Sequence, residues 1–420
     1  MNGKEHFVFT YTSLKIINWV KINSILSLLI LAVFIIGCSS GNQSKDSLPC
    51  IDIRKTYPEK MIILTDIADV TFVHLSSEND DYLYKGSINY VTDNTIIVGD
   101  NSSGSVLFFT KDGNPKSHFN RYGTGPEEYS QANLKTILYD ETTDEVFVMP
   151  VGTNNHIRVY SSKGEYRRQL RLPHGSMVDQ VFLFDDQSLF VYDAKRVFQV
   201  MLKKRFRKET DSITHLIASD FFLISKTDGE VLDYVEIPNN ELDLSVAVGN
   251  NGTIQIPTYT RVVKCTEGLL LCNHETDTVF LFGKDKSIIP VICKTPLMSM
   301  LEPMVILDNC LDAGRYQFMV IETLQSERGS FLLPRKYLML DKKSGEIFRQ
   351  KIILPDYNGK ELFIIPQSKC SNAKEYFFEL DLFELKQAYK ENKLNGKLKE
   401  LVAKLDENED NNVFMFVNFK

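Results

Sequence analysis

Short apolar segments separated by turn residues follow one another through most of the chain after Pro49. Segments such as 95–98, 105–109 and 145–149 are rich in β-branched and aromatic residues, and Asp, Asn, Gly or Ser bounds them. This pattern is typical of β-strands joined by tight turns. Residues 381–404 differ, because their leucines recur at helical spacing. We therefore predict mostly strands, with a short helical insertion near the C-terminus.

One unit recurs along the chain: an apolar strand, a tight turn and a second strand. The turn positions are Gly113, Gly164, Gly229, Lys286 and Gly345, where Lys286 belongs to a degenerate copy that lacks the glycine. Their spacings of 51, 65, 57 and 59 residues average 58. A four-stranded propeller blade has this size, which exceeds the roughly 40–45 residues of a WD repeat.

The repeat predicts an all-β fold, a six-bladed β-propeller of four-stranded antiparallel blades over residues 59–420. Five hairpins are visible, and we expect the two ends of the chain to share the sixth blade. Closing the sheets into a ring removes the exposed strand edges that favour aggregation. A pair of β-sandwiches is the alternative, but that fold does not require regular hairpin spacing.

The N-terminal segment has the features of an export signal. Residues 25–36 are apolar except for Ser27 and follow a region that contains three lysines, Lys4, Lys15 and Lys21. This run of twelve residues is too short to span a bilayer as a helix, which needs about 20. A run of this length after a positively charged region is typical of a signal peptide.

The apolar run ends at Gly37 and Cys38, and this junction resembles a bacterial lipobox. The resemblance implies a signal peptide over residues 1–37, cleavage after Gly37 and lipidation of Cys38, followed by a flexible tether over residues 38–58. Lipid chains on Cys38 would anchor the protein to a membrane. We therefore expect an outer-membrane lipoprotein of the bacterial cell envelope, on either the periplasmic or the surface face. An ordinary signal peptide or a short membrane anchor is the alternative.

Composition excludes several classes of protein. Apolar residues make up 43% and charged residues 25% of the chain, as in globular proteins and unlike disordered chains or polytopic membrane proteins. The 55 acidic residues outnumber the 48 Lys and Arg, and the net charge of -7 disfavours nucleic-acid binding. The seven His are scattered, without an HExxH or a paired CxxC motif. We therefore assign no metal and no cofactor.

Six cysteines remain besides Cys38, and an even number in an exported protein permits disulfides. Cys265, Cys272 and Cys293 nevertheless lie in strand-like apolar runs, where we predict buried free thiols. The alternative is that the six cysteines form disulfides rather than free thiols.

Four segments resemble a known family. Residues 64–75, 106–113, 122–129 and 410–420 are similar to motifs of the six-bladed β-propeller lipoproteins of Bacteroidetes, which are related in shape to NHL-type propellers. Glu127 and Asn412 depart from the Gly and Pro usual in that family. The resemblance implies the fold and the envelope location. It implies no reaction, because a fold does not determine a function.

The most distinctive candidate site is a loop that contains two glycines and a proline. Its residues are Arg121, Tyr122, Gly123, Gly125, Pro126, Glu127 and Tyr129. One interpretation is a turn between blades, with Tyr129 packed between sheets. The other is a ligand-facing loop in which Arg121 and Glu127 make polar contacts.

Other candidates carry weaker signals. His156 and Arg158 share one face of a strand, which is directed to solvent or to the central channel. Asp185 and Asp186 lie between two strands and are interpreted as a hairpin turn. The basic run 203–208 is interpreted as a solvated loop, with a partner or anionic lipid as the alternative.

No catalytic motif accompanies these residues, so we assign no catalytic residue. We predict a membrane-anchored binding or scaffold module that recognises an unknown protein or a glycan. The alternative is a carbohydrate- or ester-directed hydrolase or lyase whose site lies in the central channel. Side chains from several blades would build such a site, and sequence motifs would not reveal it.

Overall fold

Strands dominate the computed structural model. It describes residues 48–77, 80–152, 156–196, 219–238, 247–248, 254–255, 261–272, 277–297, 300–301, 305–323, 325–327, 330–332, 335–406 and 410–420. The predicted signal peptide, Cys38 and the basic run 203–208 lie outside these ranges. Leu48–Lys420 form one unit. No helix among the described residues is long and apolar enough to cross a membrane.

Three strands, one short α-helix and a 3₁₀ helix (Asp80–Tyr82) precede the first blade, and the next eight strands form blades 1 and 2. The leading elements are β1 (Cys50–Asp52), β2 (Glu59–Ile63), α1 (Leu64–Ile67) and β3 (Ala68–His74). Blade 1 contains β4 (Gly86–Val91), β5 (Thr95–Asp100), β6 (Ser105–Thr110) and β7 (Pro115–Asn120). Blade 2 contains β8 (Leu134–Asp140), β9 (Glu145–Pro150), β10 (His156–Tyr160) and β11 (Tyr166–Arg171).

Blades 3 and 4 follow, with a small hairpin between them. Blade 3 contains β12 (Val178–Leu183), β13 (Ser188–Asp193), β14 (Phe221–Ser225) and β15 (Val231–Val235). The hairpin is β16 (Ala247–Val248) with β17 (Ile254–Gln255). Blade 4 contains β18 (Val262–Lys264), β19 (Gly268–Cys272), β20 (Thr278–Gly283) and β21 (Ile288–Thr295).

Blades 5 and 6 complete the fold. Blade 5 contains β22 (Val305–Ala313), β23 (Tyr316–Thr323), β26 (Arg335–Asp341) and β27 (Glu346–Ile353). A hairpin of β24 (Gln325–Glu327) and β25 (Ser330–Leu332) lies between its second and third strands in sequence. A short strand, β28 (Glu361–Leu362), pairs with β27. Blade 6 contains β29 (Glu375–Leu380), β30 (Val413–Phe419) and β3, and the helices α2 (Leu382–Lys390) and α3 (Gly396–Val402) lie between β29 and β30.

The first strands of blades 1 to 5 lie nearest the axis, because β4, β8 and β12 contact one another in turn, as do β18 and β22. Adjacent blades cover both faces of the second strands, so β5, β9 and β13 are buried along their whole length. Such strands are apolar without strict alternation, which explains the continuous apolar runs in the sequence.

The predicted hairpin turns join the third and fourth strands of blades 1 to 5. All five turn residues have positive φ, including Lys286 at 65°. Gly113 shows why glycine is needed, because a Cβ there would lie 2.0 Å from the carbonyl oxygen of His74 on β3. A Cβ at Gly164 would lie 2.5 Å from Phe119, and one at Gly229 would lie 2.4 Å from Arg171, each in the preceding blade. The turns of blades 1, 2 and 3 therefore pack against the outermost strand of the blade before them.

The N-terminal strands add to the outer edges of three consecutive blades. β1 pairs in parallel with β21 of blade 4, and β2 pairs in parallel with β27 of blade 5. β3 pairs antiparallel with β30, so both ends of the described chain build blade 6, as predicted. The predicted tether over 38–58 is therefore too long, because β1 is already part of a sheet.

Cysteine pairing differs in part from the prediction. Cys50 of β1 and Cys293 of β21 form a disulfide, so the free thiol predicted at Cys293 is wrong. The adjacent parallel strands bring these residues together across 243 positions of sequence, which no local pattern reveals. Cys265 and Cys272 are buried and free, as predicted, and so are Cys310 and Cys370.

An irregular segment, residues 365–371, runs along β29 in the place of a first strand of blade 6. The Tyr376 hydroxyl of β29 bonds to the Ile365 backbone, and the Gln367 side chain bonds to the Phe377 backbone. On its other side the segment pairs in parallel with the end of β4, where the Val91 N–H donates to the Lys369 carbonyl. We call residues 365–371 the channel segment.

The helical insertion is confirmed. Asp381 caps α2 by accepting a hydrogen bond from the Glu384 N–H at 2.8 Å. Leu382, Leu385 and Ala388 bury one face of α2, as the leucine spacing predicts.

A cluster of charged residues is buried where blades 4 and 5 meet. Asp308 lies on β22 and is 2% exposed, and Arg261 and Lys294 of blade 4 are also buried. Burial raises the pKa of Asp308 to about 8, although the charge of Arg261 opposes the shift. The folded state therefore favours the neutral carboxyl at this position.

We predict that Gly113→Ala destabilises the protein more than Gly345→Ala. Both glycines have positive φ, so each alanine costs roughly 1–2 kcal/mol of backbone strain. A Cβ at Gly345 would meet open space, whereas at Gly113 it collides with β3. Urea unfolding should show a loss of about 3 kcal/mol or more for Gly113→Ala, because overpacking adds to the strain. Equal losses in the two variants would contradict the blade contact.

We predict that Asp308 makes the protein less stable as pH rises from 5 to 8. Its folded pKa lies above the unfolded value of about 3.9, so the folded state binds more protons in this range and loses stability as pH increases. Thermal unfolding of Asp308→Asn should show a flatter pH dependence than the wild type. Asp228→Asn is the control, because Asp228 is fully exposed and backbone hydrogen bonding lowers its pKa. Parallel pH curves for wild type and Asp308→Asn would contradict the prediction.

Candidate functional site

A polar pocket of about 510 Å³ opens at the junction of blades 6 and 1. Two segments and two single residues line it: residues 83–86 before and at the start of β4, residues 410–412 before β30, Ser102 after β5, and Glu379 at the end of β29. The pocket therefore exists only where the chain closes into a ring.

The Tyr84 hydroxyl is the most unusual group in this polar pocket. It is buried, and it has no hydrogen-bond partner among the described residues. Burial, with a smaller contribution from the nearby Glu379 carboxylate, raises the pKa of Tyr84 far above its usual value. The hydroxyl therefore stays protonated, and a buried donor without a partner costs roughly 1–3 kcal/mol.

Two carboxylates supply most of the charge of the polar pocket. Asp410 accepts hydrogen bonds from the Ser77 hydroxyl at 2.9 Å and from the Asp406 N–H at 2.7 Å. His74 Nε2 lies 3.4 Å from the same carboxylate. Burial lowers the pKa of His74, although Asp410 opposes the shift. Protein donors thus hold Asp410 in place.

Glu379 is exposed and accepts one hydrogen bond, from the Asn412 side chain at 2.9 Å. Asn412 also accepts from the Leu382 N–H at the start of α2, so the helical insertion orients it. Asn411 is buried and donates to the carbonyls of Leu75 and Tyr82. Asn411 thus attaches the loop before β30 to the segment between β3 and β4, and Asn412 attaches it to β29 and α2.

The loop predicted to face a ligand connects blade 1 to blade 2. Tyr129 is fully buried, and its hydroxyl accepts from the Arg121 N–H and donates to the Gly104 carbonyl at 2.6 Å. Its ring packs edge-on against Tyr160 of blade 2 at 6.1 Å. Arg121 Nε donates to the Gly164 carbonyl at 2.7 Å. These contacts give the loop the role of a turn that joins two blades.

The remaining residues of this loop differ in exposure. The Tyr160 hydroxyl donates to the Glu127 carbonyl, while the Glu127 side chain, Tyr122 and Pro126 are exposed. Gly123 and Gly125 curve around the Glu128 side chain, which accepts from the Gly125 N–H at 2.8 Å. A ligand contact by the exposed residues stays a prediction.

His156 and Arg158 lie on β10, the third strand of blade 2. The innermost strand of that blade is β8, so the structure does not place His156 and Arg158 at the central channel, which was one of the two positions considered for them. Burial and the charge of Arg158 lower the pKa of His156. Alternation along a strand indicates which residues share a face, but not how far the strand lies from the axis.

Asp185 and Asp186 lie in the turn between β12 and β13, as predicted. The Asp185 carboxylate accepts from the Gln187 N–H and from the backbone and hydroxyl of Ser188. Within the described part of the chain, no group of three or more His, Cys, Asp and Glu could hold a metal ion.

Sequence reasoning missed the polar pocket. Its residues come from positions 83–86, 102, 379 and 410–412, and no motif joins them. The only local signals were the acidic turn before β30 and the departure from the family pattern at Asn412. Neither signal indicates that these residues lie beside Tyr84.

Comparisons with known proteins agree on the fold. A family model described as a 6-bladed beta-propeller matches residues 39–231, which include blades 1 and 2 and most of blade 3. The crystal structure of the "Putative exported protein" of Bacteroides fragilis NCTC 9343 matches with a TM-score of 0.59 at 16% identity, covering 89% of this chain and 100% of that chain.

Two further solved structures match less well. The Neurospora crassa Pan2 WD40 domain has a TM-score of 0.34 at 12% identity and covers 74% of this chain and 76% of that chain. A luciferin-regenerating enzyme has a TM-score of 0.34 at 10% identity, with 84% and 98% covered. Scores this low support no inference about this chain. No curated protein matches it significantly. The sheet order, the family model and the Bacteroides fragilis structure identify the chain as a six-bladed β-propeller.

Proposed function

We propose that this propeller is a binding module of the bacterial cell envelope, anchored to a membrane through Cys38, and that the polar pocket binds a glycan. The observation that carries the ligand class is the polar lining of the pocket, which includes Tyr84, whose hydroxyl is buried without a partner among the described residues. A ligand that turns the Tyr84 side chain toward the pocket gives this hydroxyl an acceptor for its hydrogen bond.

The lining of the polar pocket suits hydroxyl groups, each of which both donates and accepts hydrogen bonds. Glu379 and Asp410 are acceptors, Lys85 is a donor, and Ser102 can do either. Because the lining contains two carboxylates but one ammonium group, its net charge is negative, which disfavours an anionic ligand. A purely apolar ligand would leave these polar groups desolvated without partners.

The contacts of Asp410 favour binding over hydrolysis. Glycoside hydrolysis needs two carboxyl groups on opposite sides of the scissile bond, one of which donates a proton. Asp410 already accepts hydrogen bonds from the Ser77 hydroxyl and the Asp406 N–H, so protein donors occupy both of its carboxylate oxygens. The channel-site hydrolase considered from the sequence has no specific observation in its favour.

Three observations support the envelope location. The lipobox-like junction at Cys38 provides an anchor. The disulfide between Cys50 and Cys293 is of the kind that forms in oxidising compartments outside the cytoplasm. The Bacteroides fragilis protein with the same fold carries a name that describes export. The periplasmic and surface faces both agree with these observations.

A glycan array followed by calorimetry tests the ligand class. We expect Tyr84→Phe to weaken the binding of an array hit about 5- to 10-fold, because one neutral hydrogen bond contributes roughly 1 kcal/mol. Glu379→Gln should weaken it further if the carboxylate accepts from a sugar hydroxyl. Tyr234→Phe is the matched control, because Tyr234 lies on β15 of blade 3 and is 45% exposed.

If Tyr84→Phe binds the glycan with the same affinity as the wild type, this result would contradict the proposed site. An array without hits would contradict the ligand class. Release of sugar from a bound glycan would overturn the binding-only function and favour the hydrolase.

We predict that Cys38→Ala abolishes membrane anchoring. Without the thiol no lipid can be attached, so the protein should stay unprocessed or move to the soluble fraction, and it should not take up labelled fatty acid. Cys370→Ser is the control, because Cys370 is a buried free thiol within the propeller. A wild-type protein without label would contradict the anchor.

A further inference from the structure

A second pocket, of about 310 Å³, lies between blades 3 and 4 and the residues that follow the channel segment. Blade 3 contributes the end of β12 with Leu183 and Phe184, and blade 4 contributes the turn after β18 and Lys284. Residues 371–374, which lead from the channel segment into β29, form the remaining wall. We call it the lysine pocket.

Three lysines line the lysine pocket: Lys264, Lys284 and Lys374. No Asp or Glu stands among its lining residues, and in the described part of the chain none of the three ammonium groups forms an ion pair with a carboxylate. Several other lysines of the described chain have such a partner, for example Lys342 with Asp312 at 2.6 Å. The positive charge of the lysine pocket is thus not neutralised within its own lining.

Lys264 lies on β18, the innermost strand of blade 4, and is mostly buried. Burial lowers its pKa and so does the charge of Lys284, while Cys370 and Asp93 of blade 1 oppose the shift. Asp93 does not line the lysine pocket. A buried ammonium group is costly unless an anion or hydrogen-bond acceptors approach it.

The other walls of the lysine pocket combine hydroxyl donors with an apolar surface. Thr266 and Ser371 carry hydroxyls, while Leu183, Phe184 and Leu269 are apolar. Phe184 is held in place by stacking on Phe282 at 5.0 Å. Hydroxyls and ammonium groups are the donors that bind carboxylate and phosphate oxygens.

We propose that the lysine pocket binds a small organic oxyanion with two or more negative charges, such as a phosphate ester or an oligocarboxylate. Lys264 contacts the most buried anionic group, while Lys284 and Lys374 hold the outer charge at the rim. The volume lies at the lower end of the roughly 300–1,000 Å³ of small-molecule sites, which limits the ligand to a compact molecule. This site is independent of the polar pocket, whose lining is mainly acidic and neutral.

Calorimetric titration of the full propeller tests the proposal with pyrophosphate, citrate and acetate as probes. Pyrophosphate and citrate should bind at one site per chain, and acetate, with a single charge, should bind at least tenfold more weakly. Lys264→Gln should weaken the tighter probe at least tenfold, and Lys374→Gln several-fold. The matched control for the loss of one surface charge is Lys397→Gln, because Lys397 is an exposed lysine on α3. This variant should leave the affinity unchanged.

If pyrophosphate binds more tightly than citrate, the ligand is a phosphate ester. If citrate binds more tightly, the ligand is an oligocarboxylate. Absence of saturable binding by both probes would overturn the proposal. Equal weakening by Lys397→Gln and Lys264→Gln would also overturn it, because it would show unspecific attraction to surface charge. The double variant Lys284→Gln/Lys374→Gln changes only exposed side chains, so it tests the site without altering buried groups.

Discussion

The antiparallel pairing of β3 with β30 is the interaction on which the ring of blades depends. It joins residues 68–74 to residues 413–419, and it gives blade 6 its outermost strand. Without it, β30 would present an unpaired edge, which in other proteins invites aggregation. Gly113 of blade 1 packs against the end of β3, and the Ser76 N–H donates to its carbonyl at 2.9 Å. Blade 1 is thereby attached to blade 6 in the way that blades 2 and 3 are attached to their predecessors.

Both pockets follow from this closure. The polar pocket lies where β4, β29 and the loop before β30 meet, so it forms only when blade 6 adjoins blade 1. The lysine pocket depends on residues 371–374, whose position is set by the channel segment and its pairing with Val91 of β4. The two pockets differ in charge: carboxylates prevail in the first and lysines in the second. A single propeller can therefore present two sites with different ligand preferences.

The sequence predicted features that have a local physical cause. The hairpin turns are recognisable because Gly113, Gly164, Gly229 and Gly345 adopt positive φ, which other residues rarely do. The helical insertion is recognisable because one face of α2 is buried. The predicted start of the propeller at residue 59 is too late, and the predicted free thiol at Cys293 is wrong. Both errors have the same cause. Parallel pairing of β1 with β21 is a long-range contact that leaves no mark on the local pattern.

The sequence by itself determined the number and order of the blades, because each blade is a local unit of consecutive strands whose turns and apolar runs are visible in the residues. The tertiary structure alone decided which side chains share a pocket. Tyr84 and Glu379 are almost 300 positions apart, and Lys264 and Lys374 are more than 100 apart. His156 and Arg158 show the same limit, since their alternation was visible but their distance from the axis was not. Ring closure brings distant residues together by rotation about an axis, and that geometry belongs to the assembled blades rather than to any segment of the chain.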